Sequence, residues 1–264
     1  MKKILSFILL MLVLSSSVFA DPTYELDLTG DLILGGSALS LFAVSQFLPP
    51  VTADPVPREA INSFDQSAMF PFHEELDKAG TYGAYAALLL PVVPVLWEPE
   101  GSERYITYGV MYAQAFLLTY GSKDLLKALI PRYRPYFYEG SIPPGEEEDV
   151  MNSFPSGHTA FGFLGATFFT ATFCREFPDS PWKIPLVAGA YALAGSVAAA
   201  RVLSGNHFLS DVLSGAALGA LWGWAVPQLH LRKDPKDRVV SLFPFPGGVF
   251  LSFSLKPEDT LPTP

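Results

Sequence analysis

Six apolar stretches set the terms for this chain: residues 32–48, 82–97, 105–120, 159–173, 184–200 and 212–226. Each is too long for an ordinary strand and lacks strict alternation, so each predicts a helix. At roughly 15–17 residues they sit just below the about 20 residues that span a bilayer core. They carry Gly, Ala, Ser and Thr throughout, which permits close helix–helix approach. They are apolar nearly all round, unlike the surface helices of a soluble bundle. Trp97, Tyr105, Trp182, Trp222 and Trp224 stand at or near their ends, as an interfacial belt requires. The expected fold is all-α: a bundle of about six apolar helices, membrane-embedded, with a soluble bundle as the competing architecture.

The flanks and connections divide the chain further. Residues 1–20 read as a signal peptide, with Lys2 and Lys3 before an apolar run and Val18 and Ala20 at the small positions before a cut. An uncleaved anchor helix is the alternative. The helical domain is expected over 21–230, and 231–264 as a C-terminal extension. There "VVSLFPFPGGVFLSFSL" places β-favouring residues on both sides of Gly247-Gly248, which suggests a hairpin. The tail "KPEDTLPTP" reads as disordered. In the first long loop, "PREAINSFDQSAMF" predicts a short helix with Pro57 in its first turn. The loop between the third and fourth helices is rich in Pro, Gly and charge, and its acidic run at 146–149 reads as a solvated face. With 17 basic and 26 acidic residues, the chain has no basic stripe for nucleic acid. One cysteine, Cys174, excludes a disulfide within the chain and reads as a packed small hydrophobe.

Three clusters carry chemistry, each where a loop meets a helix end. They are "KALIPRYRP" with Lys127 and Arg134, "PSGH" with Ser156, Gly157 and His158, and "ARVLSGNHFLSD" with Arg201, His207 and Asp211. Three cations are costly at membrane depth unless they face a polar cavity or an anion. Arginine's planar fork suits phosphate oxygens, and lysine adds a point charge. Ser156 offers a hydroxyl, and Gly157 lets a ligand approach the backbone. "SGH" stands at an expected helix N-terminus, where unpaired N–H groups favour an anion. Together they describe an oxyanion cradle. His207 and Asp211, at i and i+4 on a starting helix, are placed to face one another. A carboxylate on one imidazole nitrogen leaves the other as nucleophile, with His158 as general acid. Taken singly, each piece has a plain structural reading as a cap, a turn, topology charges or an ion pair. His73 and His230, outside these clusters, are read as structural.

The three clusters resemble the signatures Lys-x6-Arg-Pro, Pro-Ser-Gly-His and Ser-Arg-x5-His-x3-Asp of the type 2 phosphatidic acid phosphatase (PAP2) superfamily, with class A acid phosphatases and vanadium haloperoxidases as relatives. The motifs span 127–211, and the helical layout extends the likeness over about 30–226. Ala200 stands where the family usually has serine, and Arg201 beside it is intact. The resemblance implies that His207 attacks phosphorus to form a phosphohistidine, with Asp211 orienting it. It implies that His158 protonates the leaving group, and that Lys127, Arg134, Ser156, Gly157 and Arg201 hold the phosphate oxygens. It implies no metal and no cofactor.

The function expected is therefore a metal-independent phosphatase acting on a membrane lipid phosphate or diphosphate. Phosphatidic acid, phosphatidylglycerol phosphate, undecaprenyl diphosphate and a lipid A phosphate are the candidates. The alternative is a periplasmic acid phosphatase with broad soluble substrates. A non-catalytic lipid-binding scaffold would need neither histidine. The location expected is the bacterial cell envelope, in the inner membrane with the site facing the periplasm, or free in the periplasm. Export of Asp21 followed by six crossings would turn the site inward. The expectation is that 32–48, carrying Gly35, Gly36 and Gln46, packs without a full crossing.

Overall fold

The computed structural model describes residues 23–49, 51–94, 102–232, 240–245 and 248–253. The expected leader at 1–20 and the tail at 256–264 lie outside the described residues. Among those described, the α-helices are α1 (Leu28–Phe47), α2 (Ser63–Gln66), α3 (Glu74–Leu88), α4 (Ser102–Leu129), α5 (Pro135–Tyr138), α6 (Gly157–Glu176), α7 (Lys183–Leu203) and α8 (Leu209–Leu229). Six long helices form the bundle, as the apolar stretches require. Each of α1, α6, α7 and α8 extends past its apolar stretch into polar residues that cap or frame its ends.

The third helix departs from expectation. It starts at Glu74, not Tyr82, because Glu74, Glu75 and Asp77 complement the positive end of the helix dipole. It ends at Leu88, followed by a 3₁₀ turn Leu90–Val92 with Pro91, which lacks the N–H to continue the ladder. The short helix expected from Pro57 is split into a 3₁₀ turn, Arg58–Ala60, and α2, which Asn62 caps by accepting from the Asp65 N–H at 3.0 Å.

Glycines decide how the helices meet. On α8, Gly215, Gly219 and Gly223 recur every fourth residue and press against Ser156, Ala160 and Leu164 of α6. A Cβ at Gly219 would stand 1.9 Å from the Ala160 carbonyl oxygen. The ascending order of both partners makes α6 and α8 parallel, with their N-termini side by side. Gly165 of α6 makes the same close approach to Ala87 of α3. Helix α7 runs antiparallel to both, with Gly162 of α6 against Ala194 and Val197. Helix α6 is the hub, and Leu164 and Phe168 join Leu41, Met111, Leu118 and Val226 in the main core.

Helix α1 is continuous through Gly35 and Gly36. It runs parallel to α4, tied at one end by Gln114 Nε2 donating to Asp31 at 2.8 Å and at the other by Gln46 donating to Asp124 at 2.9 Å. His230 Nδ1 donates to Val226 O, and its Nε2 lies 2.8 Å from Asp31, fastening the start of α1 to the end of α8. Helices α1, α7 and α8 are each long and apolar enough to cross a membrane. Gly35, Gly36 and Gln46 do not interrupt the helix. The C-termini of α1, α4 and α7 and the N-termini of α3, α6 and α8 share one end of the bundle. Tyr24, whose hydroxyl donates to Ala171 O near the end of α6, marks the other.

Beyond the bundle, Val240–Phe245 and Gly248–Phe253 run antiparallel with Val240 opposite Phe253. Two strands alone are marginal in water, and this pairing joins no larger sheet among the described residues. The expected hairpin is not supported as part of the fold class, which is helical.

Candidate active site

The end where three helix N-termini gather is where the three sequence clusters meet. Helix α6 begins at Gly157 after the cis Phe154–Pro155 bond. Ser156 is its N-cap, yet the hydroxyl turns to Thr159 Oγ1 at 2.9 Å and caps no backbone N–H. The first-turn donors, Gly157 and His158 among them, so keep no intrahelical acceptor. The parallel N-terminus of α8 adds a second positive dipole end on the same side.

Cations surround this point. Lys127, in the last turn of α4, donates to the Asn152 carbonyl. Arg134 is buried, pairs with Asp149, and donates from Nη1 to Asn206 Oδ1 at 3.0 Å. Arg201, in the last turn of α7, is buried and pairs with Asp77 of α3. Its Nε has no hydrogen-bond partner among the described residues. A buried donor of this kind costs free energy until an acceptor arrives. Lys123, one turn before Lys127, lies 3.9 Å over the Tyr120 ring, and its Cδ stands 3.1 Å from where a Gly157 Cβ would be.

The nucleophile candidate is set by a turn. Gly205 has φ +72°, and a Cβ there would stand 2.4 Å from Phe70 O, so only glycine fits. The Asn206 amide donates to Ser204 Oγ at 2.8 Å and to Asp77 at 3.0 Å, holding the turn. His207 follows, buried, with its N–H bonded to Arg201 O. Its Nδ1 lies 2.7 Å from the Ser153 carbonyl oxygen. A carbonyl only accepts, so Nδ1 carries the proton and Nε2 keeps its lone pair. Burial pushes the His207 pKa well below its ordinary value, and the charges of Arg134, Arg201 and Lys127 push it the same way. The ring is neutral at pH 7.

His207 and Asp211 come together at the start of α8 without a direct hydrogen bond. His207 precedes the N-cap Phe208, and its Nδ1 is 3.8 Å from Asp211 Oδ2, beyond hydrogen-bond range. Asp211 instead accepts from Ser153 Oγ at 2.6 Å, from Phe208 N at 2.9 Å and from Arg132. It touches the imidazole through Ser153. His158, the second residue of α6, has Nε2 3.3 Å from Thr81 Oγ1 of α3.

Sequence reasoning missed Asp65, Asp77, Thr81, Arg132, Ser153 and Asn206. Arg132 and Asn206 lie inside the quoted stretches and Ser153 stands just before "PSGH", so proximity to the motifs was the available signal. Asp65, Asp77 and Thr81 come from distant segments and had none.

A family model described as the PAP2 superfamily matches residues 105–235. The match stops short of the C-terminal strands. Among curated proteins, the lipid A 1-phosphatase of Porphyromonas gingivalis is 44% identical over 74 residues, 28% of this chain and 15% of the relative. A PA-phosphatase related-family protein of Dictyostelium discoideum is 30% identical over 40% of this chain and 42% of its own. Lipid phosphate phosphatase 1 of Arabidopsis thaliana is 28% identical over 58% of this chain and 54% of its own. The chain thus spans about half or less of the length of these relatives. Among solved structures, a transmembrane PAP2 type phosphatidylglycerolphosphate phosphatase from Bacillus subtilis is 21% identical. It covers 76% of this chain and 95% of its own, with a TM-score of 0.45.

Proposed function

Residues 105–235 belong to the PAP2 superfamily, and on that footing we propose that this chain is a metal-independent phosphatase acting on a membrane lipid phosphate or diphosphate through a phosphohistidine. The observation that carries the reading is His207: buried, neutral, with Nδ1 committed to Ser153 O and Nε2 free, beside three cations and two helix N-termini. In this reading His158, kept neutral before substrate binds by burial and the neighbouring cations, takes up a proton when the phosphate's negative charge enters. Nε2 of His207 attacks phosphorus, and the bond to the leaving oxygen breaks as His158 gives that oxygen its proton. Lys127, Arg134 and Arg201, with Ser156 and the Gly157 N–H, hold the equatorial oxygens, where charge is spread in the transition state. Water then attacks the phosphohistidine and frees His207.

The outer surface supports an amphiphilic substrate. Large apolar side chains on α1, α3, α7 and α8 are exposed, Ile184 at 78% and Leu28 at 61% among them. A soluble bundle rarely shows so much, so the soluble acid-phosphatase alternative is not favoured. Among the relatives, the names specify a lipid A 1-phosphatase and a lipid phosphate phosphatase. A phosphate-release screen in detergent is expected to find turnover on a lipid phosphate well above that on a water-soluble ester. Vanadate, a five-coordinate mimic of the transferring group, is expected to inhibit. EDTA is expected to leave the rate unchanged. Loss in EDTA that a divalent metal restores would sink the mechanism.

The site belongs to the periplasmic face in this reading. It lies at the end of the bundle away from Tyr24. Arg104, Arg175, Lys183 and Arg232 lie at the Tyr24 end and favour that end as cytoplasmic only when Lys127, Arg134 and Arg201 are assigned to phosphate binding and set aside. Since α1 starts at the Tyr24 end and runs to the site end, an outward site puts Asp21 on the cytoplasmic side, and a leader cleaved outside would turn the site inward. A reporter active only outside the cytoplasm, inserted within 139–150, is expected to give signal. Signal from a cytoplasm-specific reporter there instead would turn the site inward.

A further inference from the structure

Asp65 lies outside all three signatures, in the four-residue helix α2, and is fully buried. Its carboxylate is fully engaged. Oδ1 accepts from the Ser210 N–H at 2.9 Å, and Oδ2 accepts from Ser210 Oγ at 2.7 Å, Asn62 Nδ2 at 2.7 Å and Arg132 Nη2 at 2.6 Å. Ser210 is the second residue of α8, so Asp65 caps that helix from another part of the chain. Arg132 bridges onward. Its Nη1 donates to Ser210 Oγ at 2.7 Å and to Asp211, while its plane lies 4.2 Å from the Phe208 ring.

Two fully buried carboxylates, Asp65 and Asp211, thus share one guanidinium at the N-terminus of α8. Beyond Asp211 the path continues through Ser153 Oγ, and the Ser153 carbonyl accepts from His207 Nδ1. Every link is a hydrogen bond, and every member except Arg132 is buried.

We infer that Asp65 is a positioning residue of the phosphoryl-transfer site, acting on His207 through Arg132, Asp211 and Ser153. The inference rests on the proposed reading of His207 as nucleophile. Asp65 fixes the direction of the Arg132 fork, and the fork fixes the Asp211 carboxylate. Asp211 in turn holds the Ser153 peptide that sets the His207 tautomer and aim. Burial works to raise the Asp65 pKa, but its bonds from Ser210, Arg132 and Asn62 prevail and hold it below the ordinary carboxylate value. The anchor is therefore charged at pH 7. A ring that is misaimed by a fraction of an ångström attacks phosphorus poorly, although the cradle of cations still binds the phosphate.

The test uses the full-length protein in detergent, with Asp65→Asn, Arg132→Lys and His207→Ala beside wild type. Asparagine keeps an acceptor for Ser210 but loses the charge that orients Arg132. Lysine keeps a charge but cannot bridge two carboxylates. Both variants are expected to lose about 10- to 100-fold in kcat, with KM unchanged and vanadate, which mimics the phosphorus bonded to His207, inhibiting more weakly. The same loss is expected on an aryl phosphate, because the defect lies on the nucleophile's side. Rates are taken per mole of monodisperse folded protein, so a smaller folded fraction does not count as slower chemistry. If Asp65→Asn fails to fold, Arg132→Lys decides alone. Wild-type kcat in a folded variant, with only a lowered Tm, would reduce Asp65 to a structural latch and overturn the inference. So would a KM increase at unchanged kcat. Activity retained in His207→Ala would instead overturn the reading on which it rests, so the two failures are told apart.

Discussion

His207→Ala is expected to lose roughly 10⁴-fold or more in phosphate release, since removing the principal group of a concerted site costs that much. The variant is expected to fold. His207 makes one side-chain hydrogen bond, to the Ser153 carbonyl. Leaving that carbonyl unpaired costs on the order of 1–3 kcal/mol, which a bundle of this size tolerates. His158→Ala is expected to behave differently. Its loss is expected to be large on an alkyl leaving group and smaller on an aryl phosphate, whose leaving oxygen needs little protonation. Phosphate release with both substrates, beside thermal melts, checks the pair. Near-native turnover of His207→Ala on any good substrate would remove it from the nucleophile's role.

Gly219→Leu is expected to abolish the fold. A Cβ at that position would stand 1.9 Å from the Ala160 carbonyl oxygen, which is backbone in the first turn of α6 and cannot rotate away. Helix α8 must then back off from α6, and the glycines on either side, Gly215 and Gly223, lose their fit as well. The cost is expected to exceed the about 1–3 kcal/mol of ordinary overpacking. Because the two helices are parallel, the same displacement separates the N-terminus bearing Gly157 and His158 from the turn bearing His207. Gly189→Ala is the control. It lies within α7, a Cβ there meets nothing within 4 Å, and it is expected to stabilise by about 0.5–1 kcal/mol. Yield of monodisperse protein in detergent and Tm report both. A folded, active Gly219→Leu would mean that α6 and α8 are held apart by something other than these glycines.

The same contrast shows what the amino-acid order reveals. Helices α6, α7 and α8 were legible because their apolar runs are long and unbroken, and polar residues extend them by only a few positions. Helix α3 was misplaced because its first turn and a half, from Glu74 to Lys78, is acidic and polar. That composition reads as loop unless the dipole is weighed. The cradle residues Lys127, Arg134, Ser156, Gly157, His158, Arg201 and His207 were legible as spacings. The structure gathers them because the C-termini of α4 and α7 and the N-termini of α6 and α8 share one end. Their roles are a separate matter, for which the kinetics above are the test. His207 and Asp211 lie close, as their spacing suggests, but share no hydrogen bond, because His207 stands before the N-cap of α8 and not inside the helix. What orients it, the carbonyl of Ser153, is a backbone atom and leaves no trace in residue type. Asp65 is illegible for a related reason: its burial depends on Arg132 and Ser210, far away in the chain.

The central claim is a covalent bond between His207 and the substrate's phosphorus. Its most direct measurement is rapid acid-free quenching of the wild-type protein during turnover of a lipid phosphate radiolabelled in the phosphoryl group, followed by peptide mapping. The account predicts an alkali-stable, acid-labile label on the peptide containing His207, formed before steady state and missing from His207→Ala. Turnover with no labelled protein at any time, or label on His158 in place of His207, would contradict it.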